Sequence, residues 1–377
     1  MHKKVKILQV IHGMHFGGAE NVVKHLSLES DHNLFESTIC CTNFLGALGE
    51  QLIADGYAVE LLPPSLGIFA TLKNIMRLIN DKKPDIIHTH GIPAFLAVAP
   101  LYLLRRRPYW MHTFHFGNYP HIKRSYLYAQ RILSRFANQL IAVSNSQKQA
   151  IIDHLYVSES KITTVFNGVP ENSFRQDAAI RGKMRLEFGY TDEDIVLVSI
   201  CVLTKQKGIS YLLDAVDEIV TAVPNAKILI VGGGDVEEEL WEKSRGLKCS
   251  ASVQFAGWRS DVYEILASAD AFVLPSLWEG LPMVLLEAMS TGLPILVTDV
   301  SDNSGVIKDG ESGYVVPPAD AGLLAKAAIK LLSDKNKMRA FGAASLDRYS
   351  SFFSVGKMLA GYEAIYLDLV RTGSKRS

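Results

Sequence analysis

The sequence predicts an α/β protein with two doubly wound domains, each built on a parallel sheet that helices cover on both faces. Short apolar runs rich in β-branched residues alternate along the chain with longer amphipathic segments, which is the pattern of alternating strands and helices. The runs are almost continuously apolar, as is typical of strands buried on both faces. A polar stretch over residues 171–190 lacks a strong strand signal and separates two such series. We therefore place the domains at residues 1–171 and 172–351.

The first series contains six predicted strands, at residues 5–11, 36–41, 57–62, 84–90, 108–115 and 139–144. Helical patterns fall between them, for example over residues 17–30 and 124–139. The second series predicts six more strands, at residues 194–200, 226–232, 252–257, 270–276, 294–299 and 313–317. The final segment, about residues 352–377, predicts a helix that packs back on the first domain. Ligands of such folds bind beyond the carboxyl ends of the strands, so we expect two facing domains to form a cleft there.

Composition places the chain among ordinary globular proteins. It has 377 residues, of which 48% are apolar and 21% are charged, unlike a disordered chain. No apolar run reaches the roughly 18 residues of a membrane span, and the charged start MHKKVKILQV does not resemble a signal peptide, so we expect a cytoplasmic protein. The four cysteines, at positions 40, 41, 201 and 249, follow no metal-ligand spacing and are expected to be free thiols.

Charge is distributed unevenly, although the formal net charge is zero. Residues 1–190 hold 21 Lys and Arg against 14 Asp and Glu, a net +7, and the remainder holds 18 against 25, a net −7. The asymmetry indicates an anionic substrate or membrane surface as a partner of the first half, with a solvated basic face as the alternative. We expect no nucleic-acid partner.

A mixed aromatic and basic segment predicts contact with a membrane. Residues 114–136, FHFGNYPHIKRSYLYAQRILSRF, follow YLLRRRPYW, a composition typical of helices that lie on anionic lipid. The chain would then be peripheral on the inner face of the cytoplasmic membrane. A helix that packs on the sheet with a solvated outer face is the alternative.

The stretch at residues 276–294, SLWEGLPMVLLEAMSTGLP, predicts an anion site. Pro282 suits the first turn of a helix, where the N–H that proline lacks is not needed. A helix is therefore predicted over about residues 282–291. The amides of Gly280, Leu281 and Met283 then surround its amino end, a geometry suited to a diphosphate.

Two glutamates of this stretch are candidate functional residues. Glu279 precedes the helix, and Glu287 lies about a turn and a half inside it, in the otherwise apolar run VLLEAM. A carboxylate that faces a core is costly unless it is hydrogen-bonded, and sugar hydroxyls would supply the donors. For Glu287 the alternative is an exposed helix position.

Other motifs vary in how specific they are. In HGMHFGGAE, Gly17 and Gly18 permit close approach to a phosphate or sugar, with a plain turn as the alternative. His115 ends a predicted strand at the edge of the sheet where sites form.

The loop VGGGD lacks the third glycine of a dinucleotide fingerprint, because Glu237 stands there, so NAD is not indicated. The acidic run at 192–194 is interpreted as a solvated cluster, and HTH has no third ligand, so no metal is expected.

The segment PSLWEGLPMVLLEAMSTGLPILVTD closely resembles the signature of the family 4 glycosyltransferases, which have the GT-B fold. Other motifs match that family in the same order, namely FGGAE, HTHG, TFH, AVSNS, NGV, KQKG, VGGGD and FAGW. The resemblance covers about residues 5–335. It implies two Rossmann-like domains and a retaining transfer of a sugar from a UDP- or GDP-sugar to a hydroxyl of a glycan or lipid-linked acceptor. Bacterial-type synthesis of cell-surface polysaccharide or glycolipid would be the setting.

The resemblance also implies roles for individual residues. His115 and Glu279 would be catalytic residues that contact the donor sugar, and Glu287 would bind the ribose hydroxyls. Lys207 of KQKG would neutralise the diphosphate, so neither a metal nor another cofactor is expected. The other implied donor contacts are Gly17, Gly18, Gly280, Leu281 and Met283, with Gly257, Trp258 and Arg259 near the base.

Two positions depart from the family pattern. Val202 stands where the family has an arginine of the diphosphate clamp, and Gly305 stands where it has a glutamate. Loss of one charge-assisted contact costs about 1.5–3 kcal/mol, so a catalytically silent partner subunit stays an alternative. A sugar-nucleotide epimerase on a similar fold, which needs no acceptor, is the other one.

Overall fold

The computed structural model describes residues 3–15, 17–62, 67–103, 108–115 and 123–374. These residues form two compact units, the first made of Met1–Asn167 with Val355–Ser377 and the second of Gly168–Ser354. Each unit has its own parallel sheet and its own core. The α/β class and the two parallel sheets predicted from the sequence are confirmed.

The N-terminal unit is built on a seven-stranded parallel sheet in the order β3-β2-β1-β4-β5-β6-β7. Its strands are β1 (Val5–Ile11), β2 (Phe35–Cys41), β3 (Val59–Leu61), β4 (Ile86–His90), β5 (Tyr109–Phe114), β6 (Gln139–Ala142) and β7 (Ile162–Thr164). Its helices between the strands are α1 (Gly18–Leu28), α2 (Gly46–Ala54), α3 (Gly67–Lys82), α4 (Gly91–Val98), α5 (Arg124–Leu133) and α6 (Asn145–Leu155). Since β1 lies between β2 and β4, the strand order reverses there, and the carboxyl ends of β1 and β4 border the crevice where such folds bind ligands.

The C-terminal unit is built on a six-stranded parallel sheet in the order β10-β9-β8-β11-β12-β13. Its strands are β8 (Ile195–Ile200), β9 (Ala226–Val231), β10 (Val253–Phe255), β11 (Ala271–Leu274), β12 (Ile295–Thr298) and β13 (Gly313–Val316). Its helices are α7 (Ala178–Glu187), α8 (Ile209–Ala222), α9 (Glu237–Arg245), α10 (Val262–Ser268), α11 (Met283–Thr291), α12 (Asn303–Val306), α13 (Ala321–Leu332) and α14 (Lys335–Arg348). Here the order reverses between β8 and β11.

The last helix, α15 (Val355–Ser374), completes the core of the N-terminal unit. Its tyrosines Tyr362 and Tyr366 are fully buried and pack with Ile7 of β1 and Ile86 of β4. The first unit is therefore discontinuous in sequence, whereas the second is a single stretch of chain.

All twelve predicted strands are present, with ends that differ by at most two residues. The sequence did not predict β7 (Ile162–Thr164), which pairs with β6; it has only three residues, two of them threonines, and so gives little apolar signal. The four cysteines are free thiols, as expected. Within the described ranges no helix is both long and apolar enough to cross a bilayer.

Candidate active site

Lys207 and Glu279 meet at the point where the strand order of the C-terminal sheet reverses. Lys207 follows β8 and Glu279 follows β11, which are adjacent parallel strands. The Lys207 Nζ lies 2.5 Å from Glu279 Oε1. Two residues that are 72 positions apart thus form an ion pair at the edge of the sheet where doubly wound folds bind ligands.

A close approach of two loops brings the lysine to the glutamate. Lys205–Lys207 form one turn of 3-10 helix, and Gly208 follows it with φ of 64°. A Cβ at Gly208 would lie 2.1 Å from the carbonyl oxygen of Pro275, so only glycine fits. The Leu277 N–H also donates to the Gln206 carbonyl at 2.7 Å. The KQKG turn is thereby joined to the loop after β11.

Two serine hydroxyls also bind Glu279, in addition to Lys207. Its side chain is only 5% exposed, and the Ser276 hydroxyl donates to Oε1 at 2.6 Å. Its backbone carbonyl accepts from the hydroxyl of Ser301. Burial of an ion pair is costly unless further hydrogen bonds satisfy the charges. The Ser276 hydroxyl supplies such a bond to the carboxylate, and the Ser301 hydroxyl holds the backbone of the same residue.

The amino end of α11 carries the predicted amides. The helix begins at Met283, and Pro282 is the N-cap with ψ of 121°. The expectation that Pro282 occupies the first helical turn was therefore wrong by one residue, because its extended ψ keeps it outside the helix. No side chain caps this end. In the described part of the chain, Gly280, Leu281 and Met283 donate no backbone hydrogen bond there, so their N–H groups suit an anion.

Glu287 is half-buried on α11. Burial raises its pKa to about 7. Its charge contributes to the raised pKa of Tyr263, although burial is the larger cause. The alternative of an ordinary exposed helix position is therefore wrong. The residues on both sides of Glu287 in α11 are buried, and its carboxyl is only partly open to water.

The predicted base region has a different character at each of its three positions. Gly257 has φ of 64°, and its carbonyl accepts from the Gly232 N–H at 2.8 Å. Trp258 is 69% exposed. The Arg259 guanidinium is bound by Asp261 at 2.6 Å and by Glu187 at 2.6 Å. Of the two side chains, Trp258 is largely open to solvent, while Arg259 is held by structural ion pairs.

Gly17 and Gly18 lie at the amino end of α1 in the N-terminal unit. Gly17 is the extended N-cap residue and Gly18 begins the helix. The carboxylate of Glu20 lies in the first turn, so close that a Cβ at Gly17 would be 2.4 Å from its Oε2. Burial is the main reason that the pKa of Glu20 is raised. The first turn of α1 therefore already carries an acid, whereas the first turn of α11 carries none.

His115 directly follows β5 and belongs to a buried group of histidines. Its Nε2 lies 2.9 Å from His90 Nδ1. Its Nδ1 is buried without a hydrogen-bond partner among the residues that the structure describes. Burial lowers its pKa to about 3, so the ring is neutral at physiological pH.

The two departures from the family pattern are on the surface. Val202 is 46% exposed, beside the turn that carries Lys207. Gly305 is exposed on α12, and its carbonyl accepts from Arg348 Nη2 at 2.8 Å. An arginine or a glutamate at these positions would not be excluded by packing.

The acidic run at 192–194 forms a turn. Asp194 Oδ2 accepts from the Thr191 N–H at 2.7 Å, and this bond is the main reason that its pKa is lowered. Among the described residues no group of three or more His, Cys, Asp or Glu side chains is placed to hold a metal ion. A cavity of about 320 Å³ lies near this run, at the amino ends of β8 and β12, and contains none of the predicted site residues.

Family models match both units of the chain. Residues 16–173 match the model of "Glycosyltransferase Family 4", and residues 181–348 match that of "Glycosyl transferases group 1". Together the two models match most of the sequence. The chain belongs to the family 4 glycosyltransferases.

Curated relatives of this family 4 glycosyltransferase are similar over nearly their whole length. The UDP-Gal:alpha-D-GlcNAc-diphosphoundecaprenol alpha-1,3-galactosyltransferase of Escherichia coli is 26% identical over 98% of both chains. The N-acetyl-alpha-D-glucosaminyl L-malate synthase of Bacillus anthracis is 28% identical over 85% of this chain and 84% of its own.

Solved structures share the fold of this glycosyltransferase. Anabaena HepE in complex with UDP superposes with a TM-score of 0.85 at 22% identity, covering 96% of this chain and 99% of that one. The lipopolysaccharide glycosyltransferase WaaG superposes with a TM-score of 0.73 at 16% identity over 96% of this chain and 99% of its own.

Some residues of the site were not found from the sequence of this glycosyltransferase. Ser276 and Ser301 hold Glu279, and only Ser276 had a signal, its position three residues before the glutamate at a strand end. Gln9 and Tyr366, which support the histidine group, are 357 positions apart. No local pattern could have joined them.

Proposed function

We propose that the chain is a retaining glycosyltransferase that moves a sugar from a UDP- or GDP-sugar to a hydroxyl of a glycan or lipid-linked acceptor. The observation that carries this proposal is the buried Lys207–Glu279 ion pair beside the uncapped amino end of α11. A cation and unpaired amides at one edge of a sheet suit a diphosphate. The carboxylate beside them suits the hydroxyls of the attached sugar.

The names of the relatives favour one donor and one acceptor class. The Escherichia coli relative is named for UDP-Gal and a GlcNAc-diphosphoundecaprenol acceptor, and the Anabaena structure contains UDP. We therefore favour a UDP-sugar over a GDP-sugar and a lipid-linked acceptor over a free glycan, in bacterial-type synthesis of cell-surface polysaccharide or glycolipid.

In the proposed reaction, catalysis is electrostatic. The amides of Gly280, Leu281 and Met283, together with Lys207, stabilise the negative charge that develops on the leaving diphosphate. These groups offset the charge without a metal ion. Glu287 accepts hydrogen bonds from the ribose hydroxyls.

Two side chains orient the sugar in the proposed reaction. Glu279 and His115 contact the donor sugar near the oxocarbenium-like centre. We assign no covalent nucleophile, and neither glutamate is proposed to be one.

The test is a screen of UDP- and GDP-sugars for nucleotide release, with and without a lipid-linked acceptor and with and without a chelator. Release that needs the acceptor and survives the chelator is expected. Turnover of a sugar nucleotide alone would favour an epimerase, and calorimetry without any binding would favour a silent subunit. An inverted anomeric configuration in the product would refute retention.

Two variants test the roles of the glutamates in the same assay. Glu287→Ala is expected to weaken nucleotide binding, and unchanged binding would refute the ribose contact. Glu279→Ala is expected to lower turnover more than nucleotide affinity. The reverse pattern would contradict its contact with the sugar.

We also propose peripheral contact with an anionic membrane through α5 (Arg124–Leu133). Tyr128 is 59% exposed and Ile132 is 57% exposed on this helix, and Arg124 at its start is also exposed. Exposed aromatic and basic side chains on one helix suit an anionic lipid surface. Residues 104–107 and 116–122 of the predicted basic surface lie outside the described residues.

Sedimentation with vesicles tests the membrane contact. Binding that requires anionic lipid and is lost in Tyr128→Ser/Ile132→Ser is expected. Trp241→Ser is the control, because Trp241 is a comparably exposed aromatic residue, 51% exposed, in the other unit. Binding that is independent of lipid charge would overturn the proposal.

A further inference from the structure

A buried chain of hydrogen bonds leads away from His115 into the N-terminal unit. It begins with the 2.9 Å contact between His115 Nε2 and His90 Nδ1. His90 Nε2 in turn lies 2.9 Å from Gln9 Oε1. Gln9 and His90 come from β1 and β4, the two strands at which the order of this sheet reverses. We call these residues and the four that follow the histidine relay.

The relay continues to the C-terminal helix. Gln9 Nε2 donates to the Tyr366 hydroxyl at 3.2 Å, and that hydroxyl lies 2.7 Å from His88 Nδ1. His88 Nε2 is 2.8 Å from Thr113 Oγ1, which is 3.2 Å from the Tyr362 hydroxyl. Apart from His115, every member is 2% exposed or less.

The direction of donation along the relay follows from the orientation of the Gln9 amide, whose oxygen faces His90 and whose nitrogen faces Tyr366. Its oxygen can only accept, so His90 must carry its proton on Nε2. A neutral imidazole then has a bare Nδ1, which accepts from His115, so the proton of His115 is on Nε2. The amide nitrogen can only donate, so Tyr366 accepts from it and gives its own proton to His88. From His115 as far as Thr113, all the donors thus point away from His115.

This direction determines what His115 can offer to a ligand. Its Nε2–H is used by His90, so Nδ1 is the one polar atom of the ring left, and it has no partner among the described residues. An unprotonated Nδ1 accepts a hydrogen bond from a hydroxyl. It cannot donate to a phosphate oxygen, which is itself only an acceptor.

We propose that Gln9 and Tyr366 are positioning residues that hold His115 in the tautomer with its proton on Nε2, so that Nδ1 accepts a hydrogen bond from a hydroxyl of the donor sugar. This inference rests on the proposed function for its ligand, but not for the tautomer itself. It also gives the C-terminal helix a part in the site, since Tyr366 lies on α15.

The surroundings of the relay keep its histidines neutral. Burial is the main reason that the pKa values of His88 and His90 lie well below the usual range, and the neighbouring histidines lower them further. The titratable groups that face the relay are His88, His90, His112 and His115 from β4 and the end of β5, and Tyr362, Tyr366 and Glu363 from α15. No Lys or Arg contributes to these shifts.

The tautomer is measured directly by long-range ¹H–¹⁵N NMR on the full chain with ¹⁵N-labelled histidine, where His115→Gln identifies the signals of His115. We expect protonated Nε2 and bare Nδ1 in the wild type. Tyr366→Phe, which removes one hydroxyl, is expected to give a mixture of tautomers at His115. A wild-type His115 with its proton on Nδ1, or an unchanged tautomer in Tyr366→Phe, would overturn the proposal.

Gln9→Glu gives a second readout, the pH profile of turnover. A carboxylate beside His90 raises the pKa of that ring, and a doubly protonated His90 donates from Nδ1 and forces the proton of His115 onto its own Nδ1. At saturating donor, kcat of this variant should fall about tenfold for each pH unit below the new pKa, as expected for one inactivating protonation. The wild-type kcat should stay flat over that range.

Gln9→Leu is the matched control, because it breaks the relay without adding charge. A merely structural role for Gln9 predicts that both variants lose activity equally at every pH, and that result would overturn the inference. If NMR finds the expected tautomers but no sugar nucleotide is turned over, the relay stands and the proposed function fails. If sugar nucleotides are turned over but Gln9→Glu has the pH profile of the wild type, the proposed function stands and the relay fails.

Discussion

At the scale of single residues, Lys207 has two interactions with negative charges. It neutralises Glu279, and in the proposed reaction it also meets the diphosphate. Because the pair is buried, with 17% of the lysine side chain and 5% of the glutamate side chain exposed, each charge depends on the other for compensation.

The first prediction follows for Lys207→Met. Loss of one charge-assisted contact to the diphosphate is expected to lower kcat/KM for the donor by about 10- to 150-fold, equivalent to 1.5–3 kcal/mol. Steady-state kinetics of nucleotide release measures it. Lys205→Met is the control, since Lys205 is exposed on the same turn, and an equal loss in both variants would argue against a specific role for Lys207.

The second prediction concerns the pH dependence of donor binding. With a pKa of about 7, Glu287 gains a proton as the pH falls below 7, and a protonated acid accepts hydrogen bonds from the ribose less well. Affinity for UDP-glucose should therefore fall between pH 8 and pH 6, as measured by calorimetry. A sugar nucleotide is preferred to UDP as the probe, because its diphosphate has no terminal phosphate to titrate in this range.

Glu287→Gln is the matched control for that experiment. It is expected to bind UDP-glucose more weakly at pH 8, with an affinity that no longer changes between pH 8 and pH 6. The assignment would be wrong if the variant kept the wild-type pH dependence.

The third prediction concerns the stability of the fold, which should change with pH in the direction opposite to that of donor affinity. Burial raises the pKa of Glu287 from 4.5 to about 7, so between these values the folded chain binds more protons than the unfolded chain. The free energy of unfolding therefore falls as the pH rises through this window. Glu287→Gln lacks this loss and should be more stable than the wild type above pH 7, with little difference below pH 4.5. Thermal melts at several pH values measure it, and a destabilised variant at pH 8 would contradict it.

At the scale of elements, the site depends on one tight turn. Gly208 has a left-handed backbone and lies against the Pro275 carbonyl, so the turn carrying Lys207 and the loop carrying Glu279 approach more closely than any residue with a Cβ would allow.

The fourth prediction compares two glycine substitutions. Gly310 has φ of 75° and no atom within 4 Å of an added Cβ, so Gly310→Ala should cost about 1–2 kcal/mol from the backbone alone. Gly208→Ala has the same backbone cost with φ of 64°, plus a clash at 2.1 Å, and should cost more. It should also lower donor affinity by displacing Lys207. Denaturant unfolding and calorimetry test both effects, and equal losses of stability would show that the close approach is unimportant.

At the scale of the whole molecule, the two units differ in how the chain builds them. Gly168–Ser354 is continuous and contains its own sheet and core. The N-terminal unit needs α15 from the far end of the sequence, because Tyr362 and Tyr366 are part of its core.

The fifth prediction is that Gly168–Ser354 folds when expressed alone and binds UDP, whereas Met1–Asn167 alone does not fold cooperatively. Circular dichroism melts and calorimetry check each fragment. Joining Val355–Ser377 to Met1–Asn167 through a flexible linker should restore a cooperative transition. A cooperative melt of Met1–Asn167 without that segment would contradict the prediction.

The sequence by itself determined the fold class, the positions of twelve strands and the stretch that forms the amino end of α11. These properties depend on local patterns, such as continuous apolar runs and a Gly-Leu-Pro step before a helix, which one short segment contains completely. Even there the start of the helix was misplaced by one residue, because ψ of Pro282 depends on the surrounding loop.

Only the tertiary structure decided which charges are paired and which are left for a ligand. It joined Lys207 to Glu279, committed Arg259 to two carboxylates, placed Glu20 at the end of α1, and connected Gln9 to Tyr366 across 357 positions. The physical reason is that a hydrogen bond or an ion pair forms between atoms within about 3 Å, and the order of strands in a sheet sets which distant residues come that close.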